Sequence, residues 1–205
     1  MANLGNALSN QITNRNFLST GGFKFVLNRV PKVTFFSNEA GIPGITLGTA
    51  NQPSYLKDLD IPGDKIEFDD FRLRFLVDEN LENYMQIQKW IRGLGYPESL
   101  KEIFDLQNEP PTIDNRNSKM MNIYSDGSLV VLNSNYNPQF KIIFEDMFPY
   151  ALSSLDFNAQ ETDIEYFTAE VSFKYTVYYI TDMKGNRLWP LIWILYKKCG
   201  KEIPK

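Results

Sequence analysis

Apolar residues between positions 66 and 97 follow two different periods. From Phe71 to Val77 they alternate with arginines, which is the two-residue period of a strand with one buried face. Beyond Asp78 the spacing becomes i, i+3, i+4, i+7, which predicts an α-helix over 79–94 packed on the sheet. Asp78 or Asn80 is its expected N-cap, and Gly93 or Gly95 its left-handed stop. The predicted core positions of this helix are Tyr84, Ile87, Trp90, Ile91 and Leu94.

The remaining pattern predicts strands joined by turns, with helical turns at 99–106. A hairpin is expected from Phe23 through the turn 29–32 into a second strand at 33–37. Ser-Asp-Gly is interpreted as a turn separating two strands, and Pro149 as the end of another. The predicted later strands are 120–124, 129–133, 139–148 and one very long strand, 164–180. We therefore predict an α+β fold, a mostly antiparallel β-sandwich or partly closed barrel flanked by one α-helix.

The segment 39–64 contains Ile-Pro-Gly twice, and Pro followed by Gly suits a type II turn. Between the two turns, 45–48 and 55–60 can pair as a projecting hairpin. A segment this long without a helix is uncommon in a compact domain and is often functional. An interaction element and an ordinary loop are both compatible with this pattern.

Charge and composition divide the chain into three parts. Residues 1–20 are rich in Asn, Ser, Thr and Gln, which fits either a floppy arm or an arm that orders on a neighbouring subunit. We predict a domain over 21–182 and a C-terminal extension over 183–205. The net charge is −4, but six Lys and Arg against one Glu give +5 from Lys184 onward, leaving −9 for the first 183 residues. An acidic body does not favour a protein that grips nucleic acid through phosphates.

The sequence points away from catalysis. It contains no histidine and a single cysteine, Cys199, which excludes Ser-His-Asp and Cys-His machinery and any intrachain disulfide. Neither Asp69/Asp70 nor Asp78/Glu79 forms a two-carboxylate site by itself, because adjacent residues on a strand point to opposite faces. We expect no cofactor, no metal and no enzymatic activity. The apolar run 188–196 is too short for the ~20 residues of a membrane helix, so no membrane partner is expected.

Four stretches together resemble the tube-forming proteins of contractile-tailed bacteriophages, which include the tail tube subunit and the baseplate tail tube initiator. They are FKFVLNRVPKVTFF (23–36), IPGD followed by FDDFRLRFLVDE (61–79), QKWIRGLG (88–95) and LSSLDFNAQETDIEYFTAEVSFKYTVY (152–178). The resemblance covers about residues 20–181 and does not extend to the C-terminal extension of the chain. It implies a β-sandwich protomer, six-fold rings that stack into a tube, and a bore that carries DNA.

The same resemblance implies partners and contacts. The partners would be copies of this chain, the tail sheath, baseplate and tail terminator proteins, and DNA in transit; the location would be the virion tail, assembled in the host cytoplasm. It places 39–64 between stacked rings. The candidate inter-ring residues are Ile42, Pro43, Ile45, Leu47, Tyr55 and Leu56.

The acidic body suits a channel through which DNA slides, since like charge on the wall prevents phosphate contacts. Glu165 and Glu170 are the candidate lumen-facing carboxylates, although Lys174 lies on the same strand face as Glu170. Solubility of an outer surface is the alternative role for these carboxylates. We expect the repeating tube subunit; the alternatives are a single-ring baseplate initiator and, from another class, a carbohydrate-binding sandwich or carboxylate-dependent hydrolase.

Overall fold

A computed structural model of the protein describes residues 17–108, 123–158 and 166–188. Predictions that fall on 1–16, 109–122, 159–165 and 189–205 lie outside the described residues, including most of the N-terminal arm and the C-terminal extension. In chain order the helices and strands are β1 Phe23–Leu27, α1 Pro31–Phe35, β2 Ser37–Ala40, β3 Ile45–Gln52, β4 Leu59–Phe68, β5 Phe71–Leu76, α2 Glu82–Gly95, α3 Lys101–Asn108, β6 Ser125–Leu132, β7 Pro138–Leu152, β8 Thr168–Lys174 and β9 Val177–Asp182.

Seven strands form one antiparallel sheet in the order β1-β6-β7-β8-β5-β2, with β9 also paired to β7. The long β7 carries β6 and β9 along its first part and β8 along its last part, so the sheet bends around the core without closing. The remaining two strands, β3 and β4, pair only with each other. The predicted class, mostly antiparallel sheet with helical cover, is confirmed, with three helices described where one helix and some further helical turns were predicted.

The core includes the buried face of β5, which shows the predicted alternation, and the buried residues of the helix α2. Phe71, Leu73 and Phe75 are fully buried, while the arginines between them are exposed. On α2, Ile87 and Trp90 are buried, and the indole lies 6.3 Å from the ring of Phe173 on β8. Burial of side chains of this size is worth about 1.5–3 kcal/mol each, which makes this contact a main source of stability.

Both predicted helix ends are wrong in detail. The helix begins at Glu82, after Leu81 adopts a left-handed conformation with φ of 57°, and neither Asp78 nor Asn80 caps it. Instead the buried Asn83 amide joins strand and helix: its Oδ1 accepts the N–H of Asp78 at 3.1 Å, and its Nδ2 donates to the Leu76 carbonyl at 2.8 Å. At the other end Tyr96, not glycine, takes the left-handed position.

Gly93 has a packing role in place of the predicted stop. It is buried in α2 opposite α3, and a Cβ built on it would lie 3.0 Å from the Cβ of Leu106. A glycine here lets the two helices approach closely. The predicted helical turns at 99–106 correspond to α3.

The predicted strand 33–37 is wrong, because Pro31 begins a short helix there. Proline fixes φ near the helical value and is favoured in the first helical turn. The Thr34 side chain accepts the N–H of Leu27, which holds α1 against the end of β1. As a result β1 pairs with β6 rather than with its neighbour in sequence.

Three turn signals lie inside strands instead of ending them. Ser-Asp-Gly at 125–127 is an irregularity in β6, where a side chain at Gly127 would collide with Met147. Pro149 lies at a register shift within β7, and the second Ile-Pro-Gly, at 61–63, lies within β4. Proline and glycine are tolerated in strands at such bulges.

The predicted single strand 164–180 is two strands. β8 and β9 run one after the other along β7, interrupted at Tyr175 and Thr176. β5 pairs with β8 and β2 and has no pairing with β9. In the part of the chain that is described, no helix has the length and hydrophobicity to cross a bilayer.

Candidate assembly interface

The β3–β4 hairpin projects from the domain as a two-stranded ribbon. Its register runs from Ile45 opposite Phe68 at the base to Gln52 opposite Leu59 near the tip, with an irregularity between Leu47 and Thr49. A two-stranded hairpin is at best marginally stable alone in water, because it has no third strand or helix to cover a face. A surface that covers one face of this ribbon would therefore stabilise it.

Apolar side chains on the hairpin are open to solvent in the protomer. Tyr55 and Leu56 at the tip are 100% and 90% exposed, and Ile45 and Leu47 on β3 are 56% and 46% exposed. Ile42, before the ribbon, is 47% exposed. Four of the six candidate contact residues thus lie on the surface of one projecting element, and a fifth, Ile42, is exposed just before it.

Pro43, the sixth candidate, is buried and belongs to the anchor of the hairpin. Its carbonyl oxygen accepts the Tyr178 hydroxyl at 3.2 Å, and the next carbonyl, of Gly44, accepts the Asp69 N–H at 3.1 Å. The Tyr175 hydroxyl donates to the Asp69 carbonyl at 2.8 Å. These bonds fix the exit and the return of the hairpin on the β8–β9 junction.

Aromatic rings complete this anchor. Phe68, the last residue of β4, lies 6.1 Å from Tyr175 and 5.6 Å from Tyr178, centroid to centroid. Loss of hydration raises the pKa of the Tyr175 hydroxyl, with nearby Tyr178 and carboxylates contributing, so the group stays protonated as a hydrogen-bond donor. The sequence gives no signal for this anchor, because the alternation over 164–180 predicts one regular strand.

A second surface, the outer face of β2, β5 and β8, carries ion pairs across the strands. Arg74 lies directly opposite both Glu170 and Glu39 in the strand register. Its guanidinium contacts Glu39 at 2.7 Å and Glu170 at 3.5 Å. The candidate lumen residue Glu170 is therefore paired with a cation, whereas Glu165 lies outside the described residues.

The same face ends in a cluster of Asp70, Tyr150 and Lys174. Asp70 accepts the Tyr150 hydroxyl and forms an ion pair with Lys174. Hydrogen bonds from Lys174 and Tyr150 lower the pKa of Asp70, while the bond to Asp70 raises the pKa of both partners. The six charged residues of this face balance to zero: Glu39, Asp70, Arg72, Arg74, Glu170 and Lys174.

The core-helix candidates separate into two groups. Ile87 and Trp90 are buried; Tyr84, Ile91 and Leu94 are partly buried against the core. Asn83, fully buried and doubly bonded, was missed because a polar residue on a helical stripe gives no periodic signal. Among the described residues, no three metal-binding side chains cluster together.

Comparisons with known proteins agree with this geometry. The model of the family described as phage tail tube protein matches residues 6–181, most of the chain. The chain belongs to the phage tail tube protein family. A comparison with curated proteins finds no match.

Three solved structures have a similar fold. A chain of the anti-feeding prophage cap, the tube-terminating cap, has a TM-score of 0.55 at 13% identity, over 85% of this chain and 97% of that one. A chain of the anti-feeding prophage baseplate has a TM-score of 0.51 at 12% identity, with the same shares covered. A chain of the sheath–tube complex of an extracellular contractile injection system, in its extended state, has a TM-score of 0.50 at 15% identity, over 82% and 94%.

These likenesses show a shared fold, and the family membership gives the chain a structural role in tail tubes. The family and the similar structures are tube, cap and baseplate components rather than enzymes.

Proposed function

We propose that this chain is the repeating subunit of a phage tail tube, forming hexameric rings that stack through the β3–β4 hairpin. The exposed apolar hairpin carries this proposal, since Leu47, Tyr55 and Leu56 have no covering surface within the described protomer. In a stack, the hairpin of one ring would be covered by the next ring. Burying its apolar side chains would then stabilise the assembly by roughly 25 cal/mol per Å² of apolar surface.

Ring closure needs a second surface, and the sheet offers edges for it. β1 and β2 end the path of the sheet, and β9 pairs with β7 alone among the described strands. Unpaired edges are templates for pairing with another chain, and a head-to-tail contact that closes on itself makes a ring. Six copies per ring follow from the family resemblance.

The tube would carry DNA during ejection, enclosed by the sheath and bounded by baseplate and terminator proteins. It would belong to the virion tail after assembly in the host cytoplasm. The paired charges of the β2-β5-β8 face support a wall that DNA passes without being held, because Arg74 is already neutralised by Glu39 and Glu170.

Negative-stain electron microscopy of the purified protein tests the proposal. The wild type is expected to form tubes of stacked rings. A variant in which 47–66 is replaced by a short Gly-Ser linker keeps the anchor residues Pro43 and Phe68 and is expected to fold without stacking. Tubes of normal length from that variant would contradict the hairpin's role, and single rings from the wild type would indicate a baseplate initiator.

Copy number distinguishes the same two roles in the virion. For a repeating subunit we expect a copy number per virion that fills many rings, whereas for an initiator we expect the copy number of a single ring. Quantitative mass spectrometry of purified particles measures this number against a structural protein of known stoichiometry.

A further inference from the structure

The edge of β9 that faces away from β7 is met by the chain that follows it. Among the described strands, β9 pairs with β7 alone. After β9 the chain reverses direction, and Arg187 forms a bridge opposite Thr181. The N–H of Leu188 then donates to the Ile180 carbonyl at 2.9 Å. The last two described residues are thus in antiparallel register with β9.

Hydrogen bonds fix the turn that brings the chain back. The Asp182 carboxylate accepts the backbone N–H groups of Lys184 and Asn186 at 2.9 and 2.8 Å, and the Asn186 side-chain amide at 3.0 Å. Gly185 adopts the left-handed conformation with φ of 87°, and its N–H donates to the Asp182 carbonyl. The direction of the returning chain is therefore set by the turn itself.

Arg187 shows which side of the sheet the returning chain presents. Its guanidinium lies 4.1 Å from the centroid of the Tyr179 ring. Tyr179 lies opposite Ile143, a position that alternates with the buried core residues of β7, so both are on the outer side of the sheet. Because side chains alternate along a strand, the outer side also receives the side chain two residues after Arg187.

That residue, Trp189, lies outside the described residues, and the register predicts its place. The pairs 181–187 and 180–188 put position 189 opposite Tyr179. This is a pair without mutual hydrogen bonds, in which the side chains approach most closely. Tyr179 and Ile143 are only partly buried in the described protomer and offer an aromatic and an aliphatic surface for an indole.

Proline at position 190 sets the end of this pairing. The N–H of Leu188 donates to β9, and in an antiparallel pair such positions recur every two residues, so the next bond would run from 190 to Tyr178. Pro190 has no N–H to donate. The returning strand therefore spans 187–189.

We infer that residues 187–189 form an added strand on the β9 edge of their own subunit, with Trp189 packed on Tyr179 and Ile143. This strand covers an edge that could otherwise pair with another chain. Of the sheet edges that could serve ring closure, it leaves β1 and β2. The family match ends at residue 181, so the turn and the added strand lie beyond it. The inference concerns a single subunit and does not depend on the proposed tube.

Disulfide trapping in the full-length protein tests this strand. Tyr179→Cys and Trp189→Cys are combined with Cys199→Ser, so that the designed pair holds the only two thiols. Residues directly opposite in a pair of this kind have the short Cα separation that a disulfide needs. After mild oxidation we expect a disulfide within one subunit, measured by the loss of free thiols in a protein that still migrates as a monomer on a non-reducing gel.

Tyr179→Cys with Leu191→Cys is the matched control, because the two positions are two residues out of register. It is expected to give at least five-fold less disulfide. In the 179–189 pair, Leu188→Pro removes the N–H that bonds Ile180 and is expected to lower trapping at least five-fold, whereas Leu188→Ala is expected to preserve it.

Two results would overturn the inference. Trapping at 189 that does not exceed trapping at 191 would show that the chain leaves β9 before Trp189. Disulfide-linked dimers from the 179–189 pair would show that the β9 edge receives the C-terminal segment of another copy. Both results leave the proposed tube standing, and a wild-type protein that stays monomeric would overturn the tube and leave this inference standing.

Discussion

Trp90 donates its indole N–H to the backbone carbonyl of Ile123 at 2.9 Å, which ties the middle of α2 to the residues that lead into β6. The ring is 1% exposed, and the guanidinium of Arg29 lies 5.1 Å from its centroid. A buried tryptophan usually finds a partner for its N–H, since an unpaired buried donor is costly. Trp90 therefore connects α2 to residues that precede it and to residues that follow it in the sequence.

Replacing Trp90 separates the packing from the hydrogen bond. Trp90→Phe keeps an aromatic ring but leaves the Ile123 carbonyl without its partner, and we expect a loss of about 1–3 kcal/mol of unfolding free energy. Trp90→Ala also leaves a cavity and is expected to cost about 3–5 kcal/mol. Denaturant unfolding followed by circular dichroism measures both values. Gln88→Ala, on the exposed side of the same helix, is the control and should change stability by less than about 0.5 kcal/mol.

The strand β5 and the helix α2 could be predicted from sequence because a single physical cause sets their pattern. In β5, each apolar residue is buried by the same core, so burial follows sequence parity from Phe71 to Phe75. In α2, Ile87 and Trp90 are buried at helical spacing for the same reason. Where burial in the core is the main determinant, the spacing of apolar residues in the sequence identifies the strand or helix.

The predictions of secondary structure are wrong where a local sequence signal for a turn or strand competes with contacts between residues far apart in the sequence. Pro31 begins a helix, and β1 pairs with β6, about a hundred residues later, instead of forming a hairpin with the next segment. Gly127 indicated a turn, but its missing side chain makes room for Met147 at an irregularity within the β6–β7 pairing. Glycine and proline mark irregular backbone, and tertiary pairing decides whether it is a turn or a bulge.

The candidate interface could be predicted only in part. Proline, glycine and apolar residues indicated a projecting element around Ile45 and Tyr55. The burial of Pro43 at the base of the hairpin could not be predicted, because its carbonyl oxygen accepts a hydrogen bond from Tyr178, which is 135 positions away. For the same reason the pairing of Arg74 with both Glu170 and Glu39 appears only once three strands are aligned.

Gly93 should be intolerant of even a methyl group. In Gly93→Ala the new Cβ meets the Cβ of Leu106, which the α3 backbone holds in place, and we expect a loss of about 1–3 kcal/mol despite the better helix propensity of alanine. Gly95→Ala is the matched control, because a Cβ there meets nothing within 4 Å. Thermal unfolding of the two variants compares them. Equal midpoints would mean that α3 shifts freely and does not depend on close contact with α2.

Tyr178→Phe should loosen the hairpin without unfolding the domain. The variant loses the hydroxyl that reaches the Pro43 carbonyl and keeps the ring that packs on Phe68. Hydrogen–deuterium exchange is expected to accelerate several-fold at β3 and β4 in the unassembled protomer and to stay unchanged at β5. Tyr124→Phe, at an exposed tyrosine away from the hairpin, is the control. Unchanged exchange in β3 would show that the aromatic contacts alone hold the anchor.

Acid should weaken the Asp70 cluster. The pKa of Asp70 lies below its usual value of 3.8 because Lys174 and Tyr150 donate to the carboxylate. A carboxyl with a lowered pKa in the folded state stabilises the fold fully above its unfolded pKa, and this contribution is lost as the pH falls through the folded pKa. Stability measured from pH 5 down to pH 2 is expected to fall less steeply in Asp70→Asn than in the wild type. Parallel curves would mean that solvent already screens the pair.

The balanced charges of the β2-β5-β8 face allow a test of whether this face lines the bore. Glu170→Lys replaces the anion opposite Arg74 with a cation and changes the net charge of the face from zero to +2 in every copy. If the face lines the bore, the added cations bind DNA phosphates, and genome release is expected to slow at low salt and to recover as salt screens the attraction. Release is measured in phage that carry the variant, by dye binding to ejected DNA across a range of ionic strength. The double variant Arg74→Glu with Glu170→Arg keeps the pair in reversed order, preserves the net charge, and is expected to release DNA at the wild-type rate. Glu170→Lys particles that assemble fully and release DNA normally at low salt would place this face away from the bore, and Glu170 would then serve only to pair Arg74 on an outer surface.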